Sequence, residues 1–170
     1  MGAVTRMRED WYDLLHSVHY LGYHTKPAMS YGFDDAQPFS LVTSNKQEVK
    51  IARDLLEGQG TMQAAIWVIE GEHAGRDTRY FLREVFHPTD IQPAHPEDHP
   101  GARKKYEWRL DGHGQAFGRD LPLNDLPWFP AFQEDNGNFG FGLRVLRDLE
   151  VKENFLEMAR PYYVRHQKGG

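Results

Sequence analysis

AAIWVIEGEHAGRDTRYFLREVFHP, residues 64–88, decides the fold. Its first part is an apolar run rich in β-branched and aromatic residues, which reads as a buried strand over 64–70. GEHAGRD supplies turn residues, and TRYFLREVFHP reads as a second strand over 78–87, ended by Pro88. The two strands form a hairpin, and Trp67 in its middle reads as core.

Downstream, PTDIQPAHPEDHPG is an extended loop rich in Pro and acids. KKYEWRL alternates polar and aromatic residues and reads as a strand with one wet face. Trp108 and Arg109 are neighbours on it, so they point to opposite faces. The segment PLNDLPWFPAFQEDNGNFGFGL, 122–143, mixes Pro, Gly and aromatic rings, and reads as a loop. LRVL follows as a short strand and EVKENFLEMAR as a closing helix. Upstream, FSLVTSN gives a strand over 39–43. Ser44 or Asn45 then caps a helix in KQEVKIARDLLEG, with Glu48 as capping-box partner of Asn45. At the start, Val4, Met7, Trp11, Leu14 or Leu15, Val18 and Leu21 recur at helical spacing, which predicts a helix over 3–20 ended by Gly22. His16, His19 and His24 then read as helix-surface residues. The expected class is α+β, with a curled mixed sheet forming a barrel flanked by helices. Residues 1–35 form an N-terminal helix and loop packed on a domain spanning 36–165.

The chain has 170 residues, enough for one domain with a sizeable core. No apolar run reaches the roughly 18–20 residues of a membrane span, and no signal-peptide pattern opens the sequence. Cys is absent, which excludes disulfides and thiolate chemistry and fits a cytoplasmic protein. The net charge of −5 weighs against a generally basic nucleic-acid binder. The charge is uneven, however. ARKKYEWRLDGHGQAFGR carries Arg103, Lys104, Lys105, Arg109 and Arg119 against two acids. The ending KGG reads either as a cut through a linker, in a module taken from a larger protein, or as a natural tail.

Catalytic patterns are sparse. HPEDH sets His95 and His99 four apart, but its prolines forbid the helix that would bring both to one metal. No nucleophile elbow, P-loop or dinucleotide fingerprint occurs, so no cofactor is expected. EVK occurs twice, both times near predicted helices rather than on the adjacent strands a carboxylate nuclease needs.

The order from Phe39 to Ala159 resembles the PUA-like superfamily, and within it the EVE and YTH type modules. The resemblance rests on LVTSN at the end of the first strand, on the IWVIEG…TRYFLREVF hairpin and on YEWRL. The turn LPLNDLPWF, the loop NGNFGFGL and the F…M of the last helix complete it. It implies a barrel whose pocket takes one base, often a modified one, out of its strand. Such a pocket offsets a few kcal/mol of unstacking by sandwiching the base between rings and bonding its edge.

On that resemblance Ser44 and Asn45 bond the base edge, where the local reading makes them helix caps. Trp128, Phe139 and Trp108 are ring candidates that also read as core, and Trp128, held between two prolines, is the foremost of them as a pocket ring. Tyr31 and Phe33 would supply a further ring at the barrel mouth. Asn136 can bond a base or simply make a turn with Gly137. Arg103, Lys104, Lys105, Arg109 and Arg119 would hold phosphates at the rim.

The expectation is a non-catalytic module that binds nucleic acid, modified DNA before RNA. It would serve a nuclease or motor domain in the same full-length chain. A protein-interaction or immunity-type domain, and a small hydrolase on the His and acid loop, are the alternatives.

Overall fold

The computed structural model describes residues 11–25, 39–43, 50, 53–54, 63–93, 108–137 and 143–168. Among these residues six strands form one mixed sheet: β1 (Val18–Thr25), β2 (Phe39–Thr43), β3 (Ala64–Ala74), β4 (Asp77–Pro93), β5 (Trp108–Ala116) and β6 (Leu143–Val145). Their order is β2-β5-β4-β3-β1-β6. Among the described residues only the β1–β3 pair is parallel. Among the described residues, the helices α1 (Phe129–Asp135) and α2 (Leu149–Lys168) and helical stretches at 11–15 and 53–54 make the fold α+β. Among the described residues the sheet is open, with β2 and β6 at its edges. No described helix is long and apolar enough to cross a membrane.

The hairpin of β3 and β4 is the sheet's spine. Successive β3 side chains point to opposite faces, so the run AAIWVI feeds two cores at once. Ala65, Trp67 and Ile69 face α1 and α2, where Phe129, Phe132, Val151, Phe155 and Ala159 pack on them. Ala64, Ile66 and Val68 join Tyr20, Phe86, Leu110 and Leu143 on the opposite face. α2 puts Val151, Phe155, Ala159 and Tyr163 four apart on one buried stripe, and the Asp148 carboxylate accepts the Val151 N–H at 3.2 Å as its cap.

Five sequence expectations change. Of the predicted helix over 3–20, residues 3–10 lie outside the described residues, 11–15 are helical, and residues 18–25 form β1 instead. Val18, Tyr20, Leu21 and Tyr23 satisfy a strand's period of two as well as a helix's spacing. The open edge of β3 decides between them. Gly22 accordingly sits within a strand.

Pro88 does not end β4, which runs on to Pro93. A bulge at Pro88/Asp90 absorbs the missing donor. β5 likewise continues past Leu110 through Gly112 and Gly114. A side chain at either glycine would collide with a β4 carbonyl, that of His87 or Val85. These glycines therefore permit the pairing that they seem to interrupt.

The aromatic loop contains α1, with Pro at its first turn, where a proline costs no hydrogen bond. Last, α2 passes through Pro161 rather than stopping before it. Tyr162 and Tyr163 beyond that proline meet Phe117 at 4.8 Å and Trp11 at 5.3 Å, which holds the final turns in place.

Candidate functional site

Ser44, Asn45, Tyr31, Phe33, Phe139, Arg103, Lys104 and Lys105 lie outside the described residues, as do His95 and His99. The chain on either side of them shows where two of these groups join the sheet. β2 ends at Thr43, whose register partner is Trp108, the first residue of β5. Trp108 also pairs with Pro93, the last residue of β4. Ser44 and Asn45 follow Thr43 in sequence, and Arg103–Lys105 precede Trp108. Three strands thus terminate at one point, and the sequence candidates flank it.

Trp108 is half-buried against the second core, and the Arg53 guanidinium lies 4.8 Å from its ring centroid. This cation–π contact contributes about 0.5–1 kcal/mol at an exposed site. It also holds a flat cation in a defined orientation. Arg109, next along β5, is directed elsewhere. Its Nε lies 3.1 Å from the Asp111 carboxylate, which also accepts from Gln92 Nε2 at 2.8 Å.

Arg119 enters a network of carboxylates. It pairs with Glu70 at 3.3 Å and with Glu72 at 2.5 Å, and lies over the Phe81 ring at 5.3 Å. Arg83, the extra residue of a β4 bulge, reaches the same Glu70 oxygen at 3.6 Å. Glu70 is only 2% exposed, so it needs both cations. Arg109 and Arg119, expected at a phosphate-binding rim, are therefore each paired with carboxylates of this chain.

Trp128 is half-buried. Its ring meets Phe129, Phe132 and Phe155 edge-on at 6.1, 5.9 and 5.7 Å. It closes the corner where α1 meets α2. Asn136 ends α1: its Nδ2 donates to the Phe132 carbonyl at 2.8 Å and its Oδ1 accepts from Arg144 at 3.3 Å. Asn136, Arg144 and Arg147 line a cleft of about 400 Å³ between α1 and β6.

One buried polar pair escaped the sequence reading. His19, expected on a helix surface, is a β1 residue only 3% exposed. Trp67 Nε1–H donates to its Nδ1 at 2.8 Å, which leaves the ring proton on Nε2. Burial, then Lys152 and His87, lower its pKa to about 4, against a smaller opposing effect of the Leu14 carbonyl. His16 is exposed in the turn before β1, its ring tilted against that of Tyr12 at 4.1 Å. The alternation of His19, Leu21 and Tyr23 was the available signal, and the helical spacing concealed it.

Comparison with protein-family models, with curated proteins and with solved structures finds no match to this chain.

Proposed function

We propose that this chain is a non-catalytic nucleic-acid-binding module that reads a flipped, modified base, in DNA before RNA. The observation that carries the reading is the strand terminus at Thr43 and Trp108, with Arg53 lying on the Trp108 ring. A guanidinium backed by an indole is a stacking platform, and bases stack on such planes as they do on aromatic rings. Ser44 and Asn45 would read the base edge, and Arg103, Lys104 and Lys105 would hold the flanking phosphates. The PUA-like barrel, a cytoplasmic location and service to a nuclease or motor domain belong to the same proposal.

The test is titration of oligonucleotides with and without modified bases, at several salt concentrations. Three phosphate contacts give a slope of log K against log salt of about −2 for a single strand. Arg53→Ala and Trp108→Ala should each weaken binding about tenfold, since one stacked base contributes about 1–3 kcal/mol. Absence of binding to every DNA and RNA at low salt ends the proposal.

A further inference from the structure

The two edges of the sheet differ. β6 has three residues with Arg144 at its centre, whereas β2 has five, FSLVT, without a charge or a proline. Edge strands are ordinarily blunted by short length, Lys, Pro or a bulge, because their outward N–H and C=O groups pair with any strand that approaches. β2 carries none of these devices. Its pairing with β5 runs from Phe39 to Thr43 without a register shift. Among the described residues no strand lies on its other side. In an antiparallel pair successive residues direct their N–H and C=O groups to opposite sides. β5 therefore takes one alternate set of β2 groups and leaves the other set pointing outward.

A second copy of the same strand matches this edge. Laid antiparallel on itself, β2 sets Leu41 opposite Leu41 of the second copy, Ser40 opposite Val42 and Phe39 opposite Thr43. No like charges meet in that register. Pro38, which has no N–H, stands directly before Phe39 and bounds the pairing there. The register centred on Leu41 thus uses all five residues. β6 in the same arrangement would set Arg144 opposite Arg144, which is repulsive. The chemistry of the two edges selects β2.

We propose that this protein forms a two-fold dimer in which β2 pairs antiparallel with β2 of a second copy, joining two six-stranded sheets into one. The axis stands perpendicular to the sheet, so each face continues across the junction. A pair of five-residue strands is smaller than a standard interface of about 1,600 Å², so the dimer is weak and its population depends on concentration.

Trp108 is the register partner of Thr43 at the end of β2. The pairing therefore sets two Trp108 rings on one face, roughly 20 Å apart at strand spacings of about 4.8 Å and about 3.4 Å per residue. On the base-reading proposal above, the dimer engages two modified bases on opposite strands of a duplex, about six base pairs apart at about 3.4 Å per step. The pairing itself stands without that proposal.

The experiment is sedimentation equilibrium of the full chain over a wide range of concentration. The mass should rise from 19.7 kDa toward twice that value. Ser40→Pro and Leu41→Pro remove N–H groups on opposite sides of β2, so one weakens the β5 pairing and the other touches only the outer edge. At least one of these variants should keep its fold and stay monomeric. Amide exchange gives a readout that needs no variant: protection of alternate amides over residues 39–43 should rise with concentration. The proposal is overturned by a wild type that is monomeric throughout, by dimers in both variants, or by protection that does not change with concentration. A dimer that binds no oligonucleotide upholds the pairing and ends the base-reading proposal, and a monomer that binds them does the reverse.

Discussion

Acid should loosen this protein through His19. The imidazole is buried between β1, β3 and α2, accepts from Trp67 and has a pKa lowered to about 4. In the unfolded chain the same group titrates near 6.5. A depressed histidine pKa means that the unfolded state binds the proton first. The stability this contributes is therefore complete above about pH 6.5 and is lost as pH falls toward 4. The full difference of about 2.5 units corresponds to about 3 kcal/mol, of which about 2 kcal/mol is gone by pH 5. That is a large share of the roughly 5–15 kcal/mol that holds a domain together.

Protonation would also place a cation beside Lys152 and His87, and would remove the lone pair that receives the Trp67 N–H. The assay is urea unfolding followed by tryptophan fluorescence at pH 7.5, 6.5, 5.5 and 5.0, for wild type and His19→Asn. Asn offers an acceptor to Trp67 but does not titrate. Every other titrating group is common to both proteins, so the difference between their pH profiles isolates His19. Wild type should lose about 2 kcal/mol more than the variant between pH 7.5 and 5.0. Parallel profiles, or a His19 ring resonance titrating near 6.5 in the folded protein, would refute the reasoning.

Further outcomes can be checked by the same unfolding measurements. Trp128→Ala should destabilise by about 2–3 kcal/mol, because it empties a corner touched by three Phe rings. Nucleic-acid binding should fall only in parallel with folding; loss of binding in a variant of wild-type stability would make Trp128 a ligand contact. Glu70→Ala leaves Arg83 buried without this carboxylate and should cost about 3 kcal/mol; a cost under about 1 kcal/mol would show that the pair is solvated. Gly112→Ala should cost about 1–3 kcal/mol by forcing β4 and β5 apart. Gly75→Asn should be nearly neutral, since its left-handed turn suits Asn and its Cβ would meet nothing.

The hairpin was legible because β3 and β4 carry their own signal: long runs of β-formers separated by Gly75 and Asp77. The ends of elements were less so, because four punctuating residues act against their usual meaning. Pro88 sits beside a bulge, and Gly112 and Gly114 admit a close backbone. Pro161 is overridden by the packing of the two tyrosines that follow it. β1 was ambiguous, since its sequence fits both periods and the parallel edge of β3 selects one.

Of the candidate site, the meeting of strand ends at Trp108 came from register and not from the sequence pattern, and Ser44, Asn45 and Arg103–Lys105 lie outside the described residues. The fates of Arg109 and Arg119 were not legible, because their carboxylate partners depend on register. Asp111 is two residues away from Arg109, but Glu70 and Glu72 lie on a different strand from the loop bearing Arg119. No pattern in the primary sequence announces which arginines such pairs leave open.

The place of β1 between β3 and β6 has a consequence for synthesis. Its partner Leu143 emerges from the ribosome about 120 residues after Thr25. At about 5–20 residues per second, that interval lasts roughly 6–24 s. Throughout it, the strand carrying Tyr20, Leu21 and His19 can pair on one side at most. A chain released early, before β6, would expose the unpaired edge of β1, a template for pairing between molecules. Three residues of β6 therefore guard the nascent protein against self-association, and ribosome-stalled chains ending before Leu143 should be markedly more prone to aggregate than chains that include it.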